Sequence, residues 1–333
     1  MFRKFLVTGA TGFLGRTVVS QLVAENKTVH ALVMKNDPYL HLLPDEVHRT
    51  FGDVCDTDSL DCFFADSGGD SAVIHCAGVV SVASEPGERI YRINVGGTNN
   101  VIVECLKHNV GKLVYVSSVH AFCDDENTGV ITENSPIIPK QAVGDYAKSK
   151  AMATCLAMEA EKDGLDVGVV FPSGLLGPGD LGKGGLIAML RAFADGKLPF
   201  AVKGGYDFAD VRDVAKGTVA AAQAKGKKYI LSGCYATIKD ILQHAASALD
   251  IKNSPLYLPL AAAKMAAPLF EKYCIRKNLP LYFTPYSVSV LASEARFNNR
   301  AAKNDLDYNP RPIGQTVRDT VLWLTGKGCE AMA

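Results

Sequence analysis

Close to its start the chain reads Phe5-Leu-Val-Thr-Gly-Ala-Thr-Gly-Phe-Leu-Gly15, an apolar run that passes through three glycines into a helical pattern. In such a loop the first glycine allows a tight turn, the second lets the backbone approach a pyrophosphate, and the third lets the helix pack on the strand. The free N–H groups at the start of the helix attract phosphate. Because the glycines stand at a strand-to-helix junction, they predict a dinucleotide site. The residues predicted to contact the dinucleotide here are Gly9, Thr11, Gly12, Phe13, Leu14 and Gly15.

Short apolar runs alternate with helical patterns through the first half of the chain. Residues 29–33, 72–75 and 113–117 are nearly all apolar, so both faces of these predicted strands should be covered. Strands that alternate with helices in this way favour an α/β fold with a doubly wound parallel sheet, the Rossmann fold.

The pattern changes after Pro172. Residues 172–185 are rich in Gly and Pro, which is typical of a loop. Residues 186–195 and 207–224 have helical spacing, the second with Asp210 as an N-cap, and residues 228–232 resemble a late strand that returns to the main sheet. The second half therefore indicates a smaller, mostly helical substrate lobe. The expected domains are residues 1–172 for the dinucleotide-binding domain, with segments near 207–233 returning to it, and residues 173–206 and 234–330 for the lobe.

The charges are balanced, since 35 basic and 35 acidic residues give a formal net charge of +0. This balance does not call for nucleic acid as a partner. The 9 cysteines are scattered without metal-ligand spacing, so we expect reduced thiols, no metal site and a cytoplasmic protein. For the oligomeric state, a monomer and a homodimer are both open. No apolar run is long enough to span a bilayer. Residues 256–270 come nearest, and we favour a pocket lid there over an interfacial helix.

The end of the second predicted strand bears on the choice of cofactor. An acidic residue there would bind a free ribose hydroxyl and repel a 2′-phosphate, but the chain has Met34 and Lys35, and Asp37 falls late. Lys35, with Arg16 as a second candidate, could neutralise a 2′-phosphate. The pattern favours NADP(H), with NAD(H) possible, unless Lys35 is an ordinary surface lysine.

Two further segments are candidates for contact with the cofactor. Asp53, followed by Val54, comes after the third strand region and could accept a hydrogen bond from the adenine amino group, although it could equally cap the next helix. Cys76-Ala77-Gly78 ends the fourth predicted strand, where small residues would let a cofactor lie against the sheet edge.

Tyr146-Ala-Lys-Ser-Lys150 places a tyrosine and a lysine on one face of a predicted helix. An ordinary tyrosine has a pKa of about 10, and a nearby ammonium lowers it toward the range useful for proton exchange. Ser117 and Ser118 end a predicted buried strand, and strand ends line the ligand crevice of a parallel sheet. A serine there can bind the substrate oxygen while Tyr146 exchanges its proton.

These motifs together resemble the extended short-chain dehydrogenase/reductase family. The stretches Asn94-Val-Gly-Gly-Thr98, Phe171-Pro-Ser-Gly-Leu-Leu-Gly-Pro-Gly-Asp180 and Phe208-Ala-Asp-Val-Arg-Asp-Val-Ala215, and the segment 306–324, are similar to its dihydroflavonol-reductase and 3β-hydroxysteroid-dehydrogenase branch. The resemblance implies that Ser118 polarises the carbonyl, Tyr146 is the general acid/base, and Lys150 binds ribose and tunes Tyr146. It also implies that Ser117 lies at the cofactor and that Pro172 and Ser173 touch the nicotinamide end.

Two departures from the family bear on the substrate. The Thr-Asp-Glu of sugar-nucleotide dehydratases is replaced by Ser118-Val-His-Ala, and the Arg-Asp-Tyr of sugar-nucleotide epimerases by Tyr206-Asp-Phe. The arginine that would bind a substrate diphosphate is therefore missing, which favours an uncharged, apolar substrate. Tyr206 and His120 are the candidate substrate contacts, with a buried structural role for His120 equally open.

The sequence thus predicts an enzyme that transfers a hydride between NAD(P)(H) and a carbonyl or secondary alcohol of an apolar molecule, steroid-like, flavonoid-like or a simple aldehyde or ketone. The first alternative is a sugar-nucleotide epimerase or dehydratase that holds NAD tightly. A non-catalytic dinucleotide sensor is the second, and the intact Ser118, Tyr146 and Lys150 argue against it.

Overall fold

The computed structural model describes residues 1–80, 87–123, 129–182, 185–277, 279, 283–293 and 295–327. Residues 183 and 184 of the predicted loop after Pro172 lie outside these ranges. The strands are β1 Lys4–Thr8, β2 Thr28–Val33, β3 His48–Phe51, β4 Ser71–His75, β5 Lys112–Val116, β6 Val130–Ile131, β7 Val167–Pro172, β8 Gly174–Leu176, β9 Phe200–Val202, β10 Gly205–Asp210, β11 Lys228–Leu231, β12 Cys234–Thr237, β13 Leu256–Leu258 and β14 Arg296–Phe297.

The α-helices, in chain order, are α1 Phe13–Ala24, α2 Thr57–Phe64, α3 Glu88–Tyr91, α4 Thr98–Lys107, α5 Asp145–Glu159, α6 Gly185–Ala194, α7 Val211–Ala221, α8 Ile238–Leu249, α9 Leu260–Lys277, α10 Pro285–Ala292, α11 Arg300–Leu306 and α12 Ile313–Leu324. A π-helix, Arg92–Gly97, joins α3 to α4. Such turns are frequent at functional sites. The predicted helix that carries Tyr146 and Lys150 is α5, which continues into the 3-10 helix Ala160–Asp163.

Seven parallel strands form the main sheet in the order β11-β7-β5-β4-β1-β2-β3. Every residue of β4, β5 and β7 is buried, as their apolar sequences require when helices cover both faces. The predicted Rossmann sheet is therefore confirmed, including the late strand, because β11 pairs with β7. The strand order reverses between β1 and β4, and the crevice beyond their carboxyl ends is where such sheets bind ligands.

Residues 207–224 do not form one helix as the sequence predicts. Gly205–Asp210 is a strand whose Phe208 pairs with Cys234 of β12 and Gly174 of β8. Helix α7 starts only afterwards, with the predicted cap Asp210 accepting a hydrogen bond from the Arg212 N–H. The segment extends because its partners come from distant parts of the chain, which local spacing cannot reveal. Beyond the main sheet, β12, β10 and β8 form a three-stranded sheet, and β13 pairs with β9 and β14 with β6.

Two of the family-like segments, 208–215 and 306–324, contact each other in the structure through ion pairs. The Arg311 guanidinium lies 2.7 Å from an Asp213 oxygen, and Arg212 bridges Asp210 at 2.7 Å and Asp319 at 2.8 Å. Charge-assisted pairs with this fork geometry fix orientation as well as adding energy. These side chains therefore fasten the C-terminal segment to α7 and take no part in the chemistry proposed below.

Among the described helices, none is long and apolar enough to cross a membrane.

Candidate active site

The glycine loop between β1 and α1 has no room for side chains at two positions. Gly9 has φ +66°, and a Cβ there would lie 2.6 Å from the backbone nitrogen of Ala77. A Cβ on Gly15 would lie 2.1 Å from the carbonyl oxygen of Gly9. The first glycine therefore makes the turn after the strand, and the third lets α1 start directly over that turn.

The start of α1 is open toward the crevice. Its N-cap is Gly12, which supplies no side-chain hydrogen bond, and its first turn contains no acidic residue. The first N–H groups of a helix carry partial positive charge and need an acceptor. An anion such as a pyrophosphate fits this position without competition from the cap.

A cavity of about 590 Å³ extends from this loop along residues that directly follow β1, β4, β5 and β7. The glycines line it at one end and Ser118, Tyr146 and Lys150 line it elsewhere. The cavity offers backbone N–H groups for phosphate and a buried amine, and this combination fits a nicotinamide dinucleotide. The predicted cofactor residues in the lining are Gly9, Gly12, Phe13, Leu14, Gly15, Cys76, Gly78, Ser117, Tyr146, Lys150, Pro172 and Ser173.

The other predicted cofactor residues, Thr11, Lys35, Asp53, Val54 and Ala77, are not part of that lining. Thr11 donates a 2.5 Å hydrogen bond to Asp37, which the sequence had placed too late in the chain to matter. Lys35 is exposed in the turn after β2. Asp53 accepts a hydrogen bond from the Cys55 N–H at 2.9 Å, so one of its carboxylate oxygens is used within the local turn.

The segment after β4 is hydrogen-bonded to Asn94 of the π-helix, and Asn94 is in turn hydrogen-bonded to α5. Asn94 accepts from the Val79 N–H at 2.7 Å and donates to the Val79 carbonyl and to Ser149 of α5, each at 3.0 Å. A Cβ on Gly78 would lie 3.2 Å from the Asn94 amide oxygen and 3.4 Å from Lys150 Nζ. Asn94 thus sets the distance between the cofactor-facing backbone and the lysine.

The Lys150 side chain is buried, and its ammonium contacts a backbone carbonyl and an aromatic ring. Its ammonium donates to the Val116 carbonyl at 2.8 Å and lies 5.0 Å from the centre of the Tyr115 ring. Burial lowers the pKa of Lys150 to about 8, because a buried ammonium has lost its water. The amine therefore lines the cavity in a defined position, as binding of ribose hydroxyls requires.

The two adjacent serines differ in their partners. Ser117 shares a 2.6 Å hydrogen bond with Thr154 on α5. Ser118 caps the short helix Val119–Ala121 and is hydrogen-bonded to the Tyr146 side chain. The serine beside the tyrosine is thus Ser118, the one that the family resemblance favours.

Tyr146 has a higher pKa than the sequence argument suggested. Burial raises it, and the hydrogen bond from Ser118 opposes that change only in part. The lowering of this pKa expected from Lys150 is not found. Tyr146 is consequently protonated at neutral pH, as a proton donor to a reduced carbonyl should be.

His120 lies at the junction of the first cavity and a second one of about 580 Å³. Its ring stacks on Tyr206 at 5.5 Å and lies edge-on to Tyr146 at 6.1 Å. Nε2 is 3.2 Å from the Tyr206 hydroxyl. Burial lowers the pKa of His120 to about 4, so the imidazole is neutral and can present either a donor or an acceptor.

Tyr286 on α10 is a site residue that the sequence did not reveal. Its ring lies 6.0 Å from that of His120 and lines the second cavity. Burial and the neighbouring Tyr146 phenol both raise the pKa of Tyr286. Its buried hydroxyl has no hydrogen-bond partner in the part of the chain that the structure describes. No motif marks this residue, since it reaches the site from 140 positions beyond Tyr146 (286 − 146).

Comparisons with known proteins agree with this geometry. The chain is 27% identical to sterol demethylase protein B of Methylococcus capsulatus, over 97% of this chain and 98% of that protein. It is 26% identical to the decarboxylating sterol-4-alpha-carboxylate 3-dehydrogenase of Schizosaccharomyces pombe, over 96% of each. Among solved structures, gox2253 superposes with a TM-score of 0.83 at 26% identity, over 98% of this chain and 99% of that one.

The family model described as NAD dependent epimerase/dehydratase family matches residues 5–231, which include the glycine loop, Ser118, Tyr146 and Lys150. The resemblance drawn from the motifs is thereby confirmed. The chain belongs to the NAD dependent epimerase/dehydratase family, and within it to the extended short-chain reductases and dehydrogenases that use a nicotinamide cofactor.

Proposed function

We propose that this chain transfers a hydride reversibly between the nicotinamide and a carbonyl or secondary alcohol on an apolar small molecule. The observation that carries the proposal is that two cavities share His120. One of them is also lined by Tyr146 and suits the dinucleotide, and the other suits a substrate. The proposed lobe, residues 173–206 and 234–330, would supply Tyr286, Ser289 and Val290 of α10 to the second cavity.

In this mechanism the nicotinamide, when bound, supplies or accepts the hydride, and the protein handles the proton. Ser118 donates a hydrogen bond to the substrate oxygen and holds it beside Tyr146. The protonated Tyr146 gives its proton to that oxygen as the carbonyl is reduced, and takes it back in the oxidation. Lys150, whose amine lines the same cavity, would hold the ribose of the bound cofactor.

The lining of the second cavity favours the proposed hydride transfer on an apolar molecule over the activity of a sugar-nucleotide enzyme. Within the described ranges that lining contains neither lysine nor arginine, and Gln141, Ser289 and Ser293 are its polar side chains besides His120 and the two tyrosines. A substrate diphosphate needs cationic partners when it is removed from water. The cavity therefore suits an uncharged molecule, and the two relatives named for sterol chemistry support a polycyclic alcohol or ketone.

The test is a panel of 3-hydroxysteroids, 3-ketosteroids, dihydroflavonols and simple ketones, assayed by the absorbance of reduced nicotinamide with both cofactors. UDP-sugars serve as the comparison class. Turnover of apolar alcohols or ketones supports the proposal. Conversion of a UDP-sugar without net change in the cofactor, by protein purified with NAD already bound, contradicts it.

The preference for NADP(H) remains a prediction, and we propose that Lys35 promotes it while Asp37 opposes it. Arg16 is engaged with the Thr11 and Gly179 carbonyls, whereas the Asp37 carboxylate lies against the glycine loop through Thr11.

We expect Lys35→Ala to raise the KM for NADPH roughly tenfold, as loss of one charged hydrogen bond does, with little change for NADH. Asp37→Asn should lower the KM for NADPH by removing a like charge. Steady-state KM values for both cofactors check this, and an unchanged NADPH/NADH ratio in both variants contradicts it.

Tyr286 is proposed to bind a second polar group of the substrate through its unpaired hydroxyl. Tyr286→Phe should lower kcat/KM about fivefold, the value of one hydrogen bond, mainly through KM. Its unfolding free energy should be equal or higher, because a buried hydroxyl without a partner is itself destabilising.

Tyr206→Phe is the matched control for this variant, since its hydroxyl bonds to His120 within the protein. Chemical denaturation should show a loss of stability for Tyr206→Phe only. If Tyr286→Phe is destabilised to the same extent and retains its KM, its hydroxyl has a structural partner and no role in substrate binding.

The cytoplasm remains the proposed location, supported by the free thiols of the eight cysteines that the structure describes.

A further inference from the structure

The outer face of the lobe carries apolar side chains that the active site does not use. Helix α9 packs on the protein through a narrow stripe of Ala263, Ala267, Glu271 and Cys274. The rest of the helix faces outward. Its exposed large apolar residues are Met265 at 75%, Leu269 at 73%, Tyr273 at 54% and Ile275 at 61% exposure. Solvent-facing apolar groups that gather on one element, rather than being scattered singly, indicate an interaction surface.

The exposed charges of the same helix all have one sign. They are Lys264, Lys272, Arg276 and Lys277, and the one acidic residue of α9, Glu271, is buried. Because the whole chain has a formal net charge of +0, this cluster is a local separation of charge. Exposed cations attract anionic lipid headgroups, and exposed apolar side chains gain from burial at the boundary with the acyl chains, so both suit a bilayer surface.

The patch continues onto the neighbouring strands and surrounds a third cavity. Phe200 and Leu256 are paired in the β9–β13 ribbon and are 52% and 63% exposed. The cavity, of about 520 Å³, is bounded by Phe200, Leu269 and Phe270, and Ser287 is the one polar side chain among the described residues that line it. Since Leu269 is both exposed and part of the lining, the cavity borders the outer face.

Helix α10 separates this apolar cavity from the substrate cavity. Ser287 and Leu291 line the apolar cavity, whereas Tyr286 and Val290 line the cavity at His120. A molecule that enters from the outer face is thus one helix away from the catalytic groups.

We propose that α9 and the adjoining β9–β13 ribbon bind the surface of an anionic lipid bilayer, with Met265 and Leu269 inserted and the lysines and arginine at the headgroups. The charge pattern favours an anionic bilayer over a second copy of this chain as the partner of this surface. A two-fold contact between copies of this chain would place the same patch on both sides and bring like charges together. An anionic bilayer satisfies the cations and the apolar groups at once, and the apolar cavity suits hydrocarbon rather than a peptide backbone, which needs polar partners.

The experiment is vesicle flotation of the full chain with phosphatidylcholine alone and with phosphatidylcholine containing phosphatidylglycerol. The wild-type protein should float with the anionic vesicles and be released at high salt, because surface charges are then screened. Met265→Glu, at a residue that lines none of the three cavities, and the double variant Lys272→Glu/Arg276→Glu should each bind at least ~10-fold more weakly.

Val103→Glu is the matched control, since Val103 is 50% exposed on α4, in the main domain, and this variant should bind as the wild type does. Wild-type protein that stays with neither vesicle overturns the proposal, and so does equal binding by wild type and Met265→Glu. Sedimentation that shows a dimer lost in Met265→Glu overturns it as well, by assigning the face to a second copy. The readout is binding, so its failure is separable from failure of the proposed hydride transfer.

Discussion

Tyr146→Phe is expected to reduce kcat for carbonyl reduction by roughly 10²–10⁴-fold, the usual contribution of a positioned general acid. In the proposed mechanism the hydroxyl, hydrogen-bonded to Ser118, donates the proton. Phenylalanine would keep the ring against His120 and remove that proton. The affinity for the dinucleotide should not change, because Lys150 and the glycine loop are untouched. Steady-state kinetics combined with calorimetric titration of NAD⁺ and NADP⁺ separate the two effects.

The pH dependence follows from the direction of the Tyr146 shift. Burial raises its pKa, so the protonated form persists through neutral pH, and carbonyl reduction should decline only as alkaline pH removes the proton. Alcohol oxidation needs the deprotonated form and should increase over the same range. Tyr235→Phe makes the same chemical change on a tyrosine that is 49% exposed in β12 and should keep full activity. An active Tyr146→Phe enzyme would contradict the proposed proton transfer.

Gly15→Ala is expected to have the second largest effect, this time on folding and on cofactor binding together. The new Cβ would lie 2.1 Å from the Gly9 carbonyl oxygen and 2.8 Å from its carbon, both backbone atoms that cannot rotate away. Helix α1 must then move off the turn, which should cost about 1–3 kcal/mol of unfolding free energy, as overpacking does. The N–H groups that face the phosphate site move with the helix, so the affinity for the dinucleotide should fall at least ~10-fold.

The matched control is Gly96→Ala in the π-helix, where a Cβ would meet no atom within 4 Å. That change should leave both stability and cofactor binding close to wild type. Chemical denaturation and calorimetric titration on the two variants check the prediction. A Gly15→Ala protein with wild-type stability and affinity would show that the loop can relax, and would remove the steric argument for the third glycine.

Local sequence signals were sufficient for the parts of the site that lie within one element or at its end. The glycine loop, the Tyr146–Lys150 spacing and the serines after β5 each depend on a few consecutive residues and on the rule that ligands bind where parallel strands end. The strand-helix alternation likewise predicted the parallel sheet, because strands buried on both faces must be apolar throughout.

Contacts between distant segments account for what the sequence did not reveal. Asp37 appeared to lie too far beyond β2, yet the turn folds it back onto Thr11. Residues 205–210 were expected to be partly helical, but β12 and β8 pair with them as a strand. Tyr286 reaches His120 from a helix whose position depends on the packing of the whole lobe.

The sequence by itself thus predicted the fold and the cofactor site, since glycine sterics and strand burial act over a few residues, and its motifs predicted the reaction class through their resemblance to a known family. Only the tertiary structure decided which serine faces Tyr146, that Tyr146 stays protonated, and that the cavity beside His120 has neither lysine nor arginine among its described lining residues. The reason is physical: a pKa depends on how completely the group is buried, and a cavity depends on side chains from several elements. Both are properties of packing, which no short stretch of the chain contains.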